Sequence, residues 1–257
     1  MTRFERLPSW RVERAAQVRA GVTLGFVPTM GAIHEGHLSL VRRSHEENDR
    51  TLVSIFVNPT QFDRAEDLEK YPRTLERDIE LIESAGADHV LLPTDGSLYP
   101  DGFTYRVTET QASRVLEGAH RPGHFDGVLT VVLRLLHLAA AEHAYFGEKD
   151  WQQLSLVRGM ARAFFIPTTI VPCPTVREVD GLACSSRNAR LTPDDRAKAA
   201  WLYRTLCDAP SAEVAASALV DGGFAVDYVV DLDGRRLAAA WLGSVRLIDN
   251  IPLGERR

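Results

Sequence analysis

Residues 52–57 read Leu-Val-Ser-Ile-Phe-Val, mostly β-branched and aromatic residues in which polar and apolar side chains do not alternate. A strand with one wet face alternates at period two, so this run describes a strand covered on both faces. Strands of that kind belong to parallel sheets flanked by helices. Further β-forming runs lie at 22–27, 89–92, 144–146 and 168–173, with helical spacing at 9–20, about 37–48, 74–85 and 151–165, and with apolar positions 128, 131, 132, 135, 136 and 139 on one helical stripe. The alternation predicts an α/β fold, a Rossmann-like parallel sheet with right-handed crossovers. Ser9 is the expected cap of the first helix, and Tyr105–Val107 an expected edge strand.

After Arg190 the texture changes to Ala-rich helical segments at 193–207 and 211–220, then β-forming runs at 227–232 and 244–248. This predicts two domains: 1–175, Rossmann-like and catalytic, and 176–257, a small C-terminal α/β (α+β) domain.

The 257 residues carry a net charge of −5, so attraction for a polyphosphate must come from a few local cations, and a nucleic-acid or acidic-membrane surface is not expected. Cys173, Cys184 and Cys207 are too few and too scattered for a disulfide framework or a zinc ribbon and read as buried apolar thiols. The charged start MTRFERLPSWRVER does not resemble a signal peptide, and Arg134 and His137 interrupt the apolar run at 128–141. The expectation is a cytoplasmic protein.

The segment VTLGFVPTMGAIHEGHLSLVRR at 22–43 places a strand, a Gly-containing loop and a helix start in succession. Amides at a helix N-terminus favour an anion, and in an open α/β sheet ligands bind beyond the carboxyl ends of the strands. His34, Gly36 and His37 form an H-x-G-H whose imidazoles share a face if the segment is helical. Alone, such a pair fits a metal half-site or a solvated helix start as well as a phosphate site.

The company of that motif narrows the choice. PTMGAIHEGH, FVNPTQF at 56–62, YPRT at 71–74, EGAHRPGHFDGV at 117–128, FGEKDWQQL at 146–154 and SSRN at 185–188 occur in one order. In this the chain resembles the pantothenate synthetase (pantoate–β-alanine ligase) family of the H-x-G-H nucleotidyltransferase superfamily, with a weaker echo in AAWLGSVRLIDN near the end.

The resemblance implies ATP-dependent condensation of pantoate with β-alanine through pantoyl adenylate, with Mg2+, in a homodimer whose second domain acts as a lid. His34, His37, Lys149 and Arg187 become the candidate catalytic residues. Met30, Gly31, Gly36, Gly147, Glu148, Asp150, Val176, Cys184, Ser185 and Ser186 join them as candidate ATP contacts. Gln61, Gln153, Pro28 and Met30 become candidate pantoate contacts, with Phe62 beside the gem-dimethyl carbon. A neutral amide orients a carboxylate without draining its nucleophilicity, which suits glutamine.

The metal ligands stay unassigned, with Asp78 and Asp150 as candidates. Arg121 is either an extra phosphate contact or solvated, and His124 has no chemical role beyond ordering a loop. Two departures from the family pattern are Cys184, where Met or Leu is expected, and a short second domain.

Overall fold

The computed structural model describes residues 1–254, and these form two compact units. Met1–Glu148 with Gln152–Cys173 make the first; Lys149–Trp151 with the chain from Pro174 onward make the second.

The first unit runs β1 (Thr2–Phe4), α1 (Leu7–Arg19), β2 (Leu24–Thr29), α2 (Glu35–Glu47), β3 (Arg50–Ile55), α3 (Ala65–Glu69), α4 (Leu75–Ser84), β4 (His89–Leu91), α5 (Asp95–Leu98), α6 (Glu117–His120), α7 (His124–Ala139), β5 (His143–Gly147), α8 (Trp151–Ala163) and β6 (Thr169–Cys173). Its six strands are parallel, in the order β1-β4-β3-β2-β5-β6. From β2 the chain winds outward through β3 and β4, then restarts on the other side with β5 and β6, so the strand order reverses between β2 and β5. That reversal is the place where doubly wound sheets bind ligands.

Period two sorts the strand residues between the faces. Val27, Val53, Val90, Tyr145 and Val171 pack with Leu38 and Val41 of α2 and Ile82 of α4. Leu24, Phe26 and Leu52 project to the opposite face, where α1 meets α7 and the Trp10 indole donates to Leu138 O at 2.7 Å. Each of these fully buried side chains contributes about 1.5–3 kcal/mol of transfer free energy.

The second unit continues with α9 (Pro193–Ala199), α10 (Trp201–Asp208), α11 (Ala212–Asp221) and the antiparallel sheet β7 (Ala225–Leu232), β8 (Arg235–Leu242) and β9 (Val245–Pro252). Leu202, Leu206, Ala215 and Leu219 from the helices close over Ala238, Ala240, Val245 and Leu247.

Several local expectations are corrected. The edge strands are β1, paired with β4 at Thr2↔His89, and β6, whereas 105–107 is loop, pinned where Arg134 Nη2 donates to Tyr105 O at 3.2 Å. The first helix starts at Leu7, with Pro8 rather than a Ser9 cap in its first turn, because proline's missing N–H costs nothing there. The run 193–207 divides at Ala200, and residues 58–73, which lie between the expected elements, contain a 3-10 turn, Pro59–Gln61, and α3. Cys173 is buried, but Cys184 is half-buried and Cys207 lies on an exposed face of α10.

Pro28 also lies inside a strand. Thr29 O accepts from Phe56 N and Leu24 O from Glu142 N, so odd residues of β2 face β3 and even residues face β5. The β2–β5 ladder covers only Gly25 and Phe26. Pro28 therefore points where no ladder hydrogen bond exists, the one place in a central strand that tolerates it.

Candidate active site

The loop between β2 and α2 is held from α4. Gly31 has φ +80° and Ala32 φ +51°, and this turn presents its amides to buried Asp78: Oδ2 accepts from Ala32 N at 2.9 Å, Oδ1 from Ile33 N at 2.8 Å. A Cβ at Gly31 would lie 2.9 Å from Asp78 Oδ2. Thr74 Oγ1 donates to the same carboxylate. Asp78 is thus a brace for the loop, which removes it as a magnesium candidate.

His34 is the N-cap residue of α2, with extended backbone, and His37 lies in the first turn. The two half-buried imidazoles stack at 4.0 Å between centroids with 26° between planes. Leu38, Leu40, Val41 and Ser44 bury the other side of the helix and fix its rotation. Met30 and Gly36 are on this same loop and turn, half-buried like Pro28. The helix starts two residues earlier than its apolar spacing predicts, because Glu35 and Gly36 carry no apolar signal.

Gln61 is gripped on both its side chain and its backbone. Asn58, 1% exposed, donates from Nδ2 to Gln61 Oε1 at 2.9 Å while its Oδ1 accepts from Tyr99 OH at 2.7 Å. With Oε1 occupied, the Gln61 amide has Nε2 as its donor for anything else. His124 Nδ1 bonds Gln61 O at 2.8 Å, and Arg121 Nη1 lies 3.1 Å from His124 Nε2. A carbonyl only accepts and a guanidinium only donates, so His124 is neutral with its proton on Nδ1. Arg121 also bonds Asp63 and Gln61 O, so it is not simply solvated but part of the grip. Phe62 stands edge-on to Tyr71 at 5.7 Å between centroids.

At the end of β5 the position a Gly147 side chain would fill is open space. The two glutamines that follow have divided roles. Gln152 binds Glu117 N, Ala112 O and Val115 O, tying down 112–117, whereas half-buried Gln153 forms no side-chain hydrogen bond among the described residues.

In the second unit Lys149, Ser185 and Arg187 line one small cleft, with Asn188, Arg246 and Asp249. Lys149 is not an exposed loop lysine: its side chain is 16% exposed, with Nζ 3.7 Å from Asp150 Oδ1. Ser185 Oγ caps the turn Ser186–Arg190 by accepting from Arg187 N, and Asn188 Nδ2 ties that turn to Glu178 Oε1 and Ala183 O. Val176 O accepts from Cys184 N at 2.9 Å. Asp249 is paired with Arg177 by a two-pronged contact at 2.6 and 2.9 Å, and Arg246 with Asp227 at 2.7 Å, so the cleft is lined by cations held in place by carboxylates.

Asn58 and Arg246 escaped sequence reasoning, although FVNPTQF and SVRLIDN contain them. Asn58 is fixed by Tyr99, 41 residues on, and Arg246 by Asp227, 19 residues back, and no local pattern announces those partners. Among the described residues no group of three His, Cys, Asp or Glu side chains could hold a metal, and no helix is long and apolar enough to cross a membrane.

A Rossmann-ordered sheet with a histidine pair beyond its reversal point, and a cation-lined cleft in the second unit, define a nucleotide-using α/β enzyme. The family model described as pantoate-beta-alanine ligase matches residues 2–252. A pantothenate synthetase of Bdellovibrio bacteriovorus is 49% identical over 257 residues, 98% of this chain and 100% of that protein; one of Coxiella burnetii is 47% identical over 252 residues, 98% and 97%. A crystal structure of the Francisella tularensis pantoate-beta-alanine ligase, complexed with beta-gamma ATP and beta-alanine, superposes with a TM-score of 0.92 at 39% identity, covering 98% of this chain and 97% of that one. The chain belongs to the pantoate–β-alanine ligase family and is a ligase. Each pair covers the other almost end to end, so this chain and these relatives are of nearly equal length.

Proposed function

We propose that this chain condenses (R)-pantoate with β-alanine in two steps driven by ATP. In the first, a pantoate carboxylate oxygen bonds the α-phosphorus as the bond to pyrophosphate breaks, leaving pantoyl adenylate. In the second, the neutral amine of β-alanine attacks the acyl carbon, AMP leaves with the bonding pair, and the nitrogen gives up a proton.

The observation that carries this reading is the stacked pair His34 and His37 on the helix that follows β2, at the reversal of strand order. Two imidazole donors and a helix N-terminus suit phosphoryl oxygens on which charge builds. Stabilising that charge is sufficient; attack by an ionised carboxylate needs no proton from His37. Met30, Gly31, Gly36, Gly147, Glu148 and Asp150 line the nucleotide's path, and Val176 and Cys184 meet the adenine.

Lys149, Ser185, Ser186 and Arg187 serve the phosphates. Lysine acts as a mobile point charge, and arginine as a fork of donors. Gln61 offers Nε2 to the pantoate carboxylate, its Oε1 being held by Asn58. Gln153 orients the hydroxyls, with Pro28, Met30 and Phe62 against the gem-dimethyl carbon. Magnesium fits this donor set as an ion carried mainly by phosphate oxygens and water, with Asp150 as the protein carboxylate, and when bound it supplies neutralisation of phosphate charge. The reading includes a cytoplasmic homodimer, which sedimentation would test.

The decisive experiment follows labelled pyrophosphate into ATP with magnesium and pantoate but without β-alanine. Pantoate-dependent exchange is expected. Lys149→Ala or His37→Ala should lower it by roughly 10²–10³, as for loss of one oxyanion donor. Absence of both exchange and AMP release when β-alanine is added would overturn the assignment.

A further inference from the structure

Lys149 is useful to a transition state only if the backbone that carries it is fixed, because its side chain is long and flexible. The 3-10 turn Glu148–Asp150 is too short to fix itself. Its anchor is a residue with no part in the reaction as described so far. Asn250 of β9, 3% exposed, donates from Nδ2 to Lys149 O at 2.9 Å. Its Oδ1 accepts from Arg235 Nη1 at 2.5 Å, and the Arg235 guanidinium lies 3.9 Å from the centroid of the Trp151 ring.

The amide orientation follows from its partners. Arg235 can only donate, so the atom facing it is oxygen; the remaining atom is the amide nitrogen, which is what a carbonyl requires. The backbone of Asn250 is fixed as well: its N–H donates to Asp249 Oδ1 at 2.8 Å and its O accepts from Arg177 Nη2 at 3.3 Å. The Arg177 guanidinium lies 3.6 Å from the centroid of Tyr203. One side-chain amide, oriented by Arg235 and carried on a backbone held at both its N–H and its O, thus carries the carbonyl of Lys149, while Arg235 covers the ring two residues on.

We infer that Asn250 is a positioning residue for Lys149, setting the backbone from which the ammonium reaches the cleft it shares with Ser185 and Arg187. This rests on the reading of Lys149 given above. It accounts for the grouping of Lys149–Trp151 with the second unit, since their holding contacts come from β8 and β9.

The test is Asn250→Asp, which keeps an acceptor for Arg235 but sets an oxygen against the carbonyl of Lys149. In pantoate-dependent pyrophosphate exchange, kcat should fall roughly 10–100-fold with little change in KM for pantoate. In a Lys149→Ala background the same substitution should change kcat less than about twofold, because non-additivity marks residues that act together.

Equal losses in the two backgrounds, or a wild-type kcat for Asn250→Asp, would overturn the inference. Wild-type exchange by Lys149→Ala alone would instead overturn the reading of Lys149. Should Asn250→Asp fail to give a native circular dichroism spectrum, Arg235→Gln, which frees the amide from its orienting partner, takes the same two-background test with the same outcomes.

Discussion

Asp78 accepts the N–H of Ile33 at 2.8 Å across 45 residues of sequence. Its second oxygen takes the N–H of Ala32 at 2.9 Å, so one buried carboxylate holds the turn leading into the histidines. Asp78→Ala would strand two amides and is expected to cost roughly 2–4 kcal/mol in urea unfolding. Pyrophosphate exchange should fall as well, since His34 is the cap residue one position beyond Ile33. A variant with normal stability and exchange would show that the loop holds its shape without Asp78.

The neutral His124 and Arg121 grip Gln61 through its main-chain carbonyl. His124→Ala is expected to raise KM for pantoate severalfold, with a smaller effect on KM for ATP. His124→Asn can place an amide donor near Nδ1 and should recover part of the loss. Initial-rate measurements with each substrate varied in turn decide this, and an equal rise in both constants would refute the assignment to Gln61.

Gly127 in α7 passes close to the same turn. A Cβ there would stand 2.3 Å from Thr60 O and 2.7 Å from Gln61 N. Gly127→Ala should therefore destabilise by about 1–3 kcal/mol and weaken pantoate binding by displacing Pro59–Gln61. Gly159→Ala in α8, where a Cβ meets nothing within 4 Å, is the control and should stabilise by about 0.5–1 kcal/mol. Thermal denaturation of the pair checks both signs.

His89 is buried between the rings of Phe4 and Trp10 and takes a hydrogen bond from Gln17 Nε2 at 2.9 Å. Burial holds its pKa below the ordinary 6.5, against the opposing pull of Asp88 and Glu13, while Arg50 and the N-terminal amine act with burial. The unfolded chain therefore takes up this proton first as pH falls. Its stabilising share is complete above pH 6.5 and is lost from there down towards the depressed folded value, at no more than about 1.4 kcal/mol per pH unit. Urea unfolding at pH 7.5 and 5.5 should show this loss in the wild type and a smaller one in His89→Gln.

The parallel sheet is legible because burial on both faces removes polar residues from a run such as 52–57, whatever the neighbours are. The strand β8 is not legible that way: Arg-Arg-Leu-Ala-Ala-Ala-Trp-Leu has a helix-forming composition, and it is extended because Ala238, Ala239 and Ala240 are all buried, with β7 and β9 alongside. A signal was nonetheless present at Asp233-Gly234, both at positive φ, the two-residue hairpin turn that such a pair favours. β1 was hidden by its length of three residues and depends on β4 for its hydrogen bonds.

At the candidate site, the residues that would touch ligands are readable as motifs, whereas those that hold them are not. Asp78, Asn58, His124 and Asn250 act on partners 3 to 101 residues away. Spacing of that range carries no period, and an isolated Asp or Asn in sequence looks the same whether it braces a loop or faces water.

The proline within β2 has a consequence for how ligands meet this protein. A ladder that stops for want of side-chain fit could zip further in the free state, and each ligand would then have to reopen it at a cost in affinity. Here the donor on the β5 side is missing from the covalent structure, so the gap beyond Phe26 cannot be closed by extending the pairing. A ligand bound beyond this strand end would therefore meet a gap built into the chain, and its binding free energy would go to alignment rather than to separating strands.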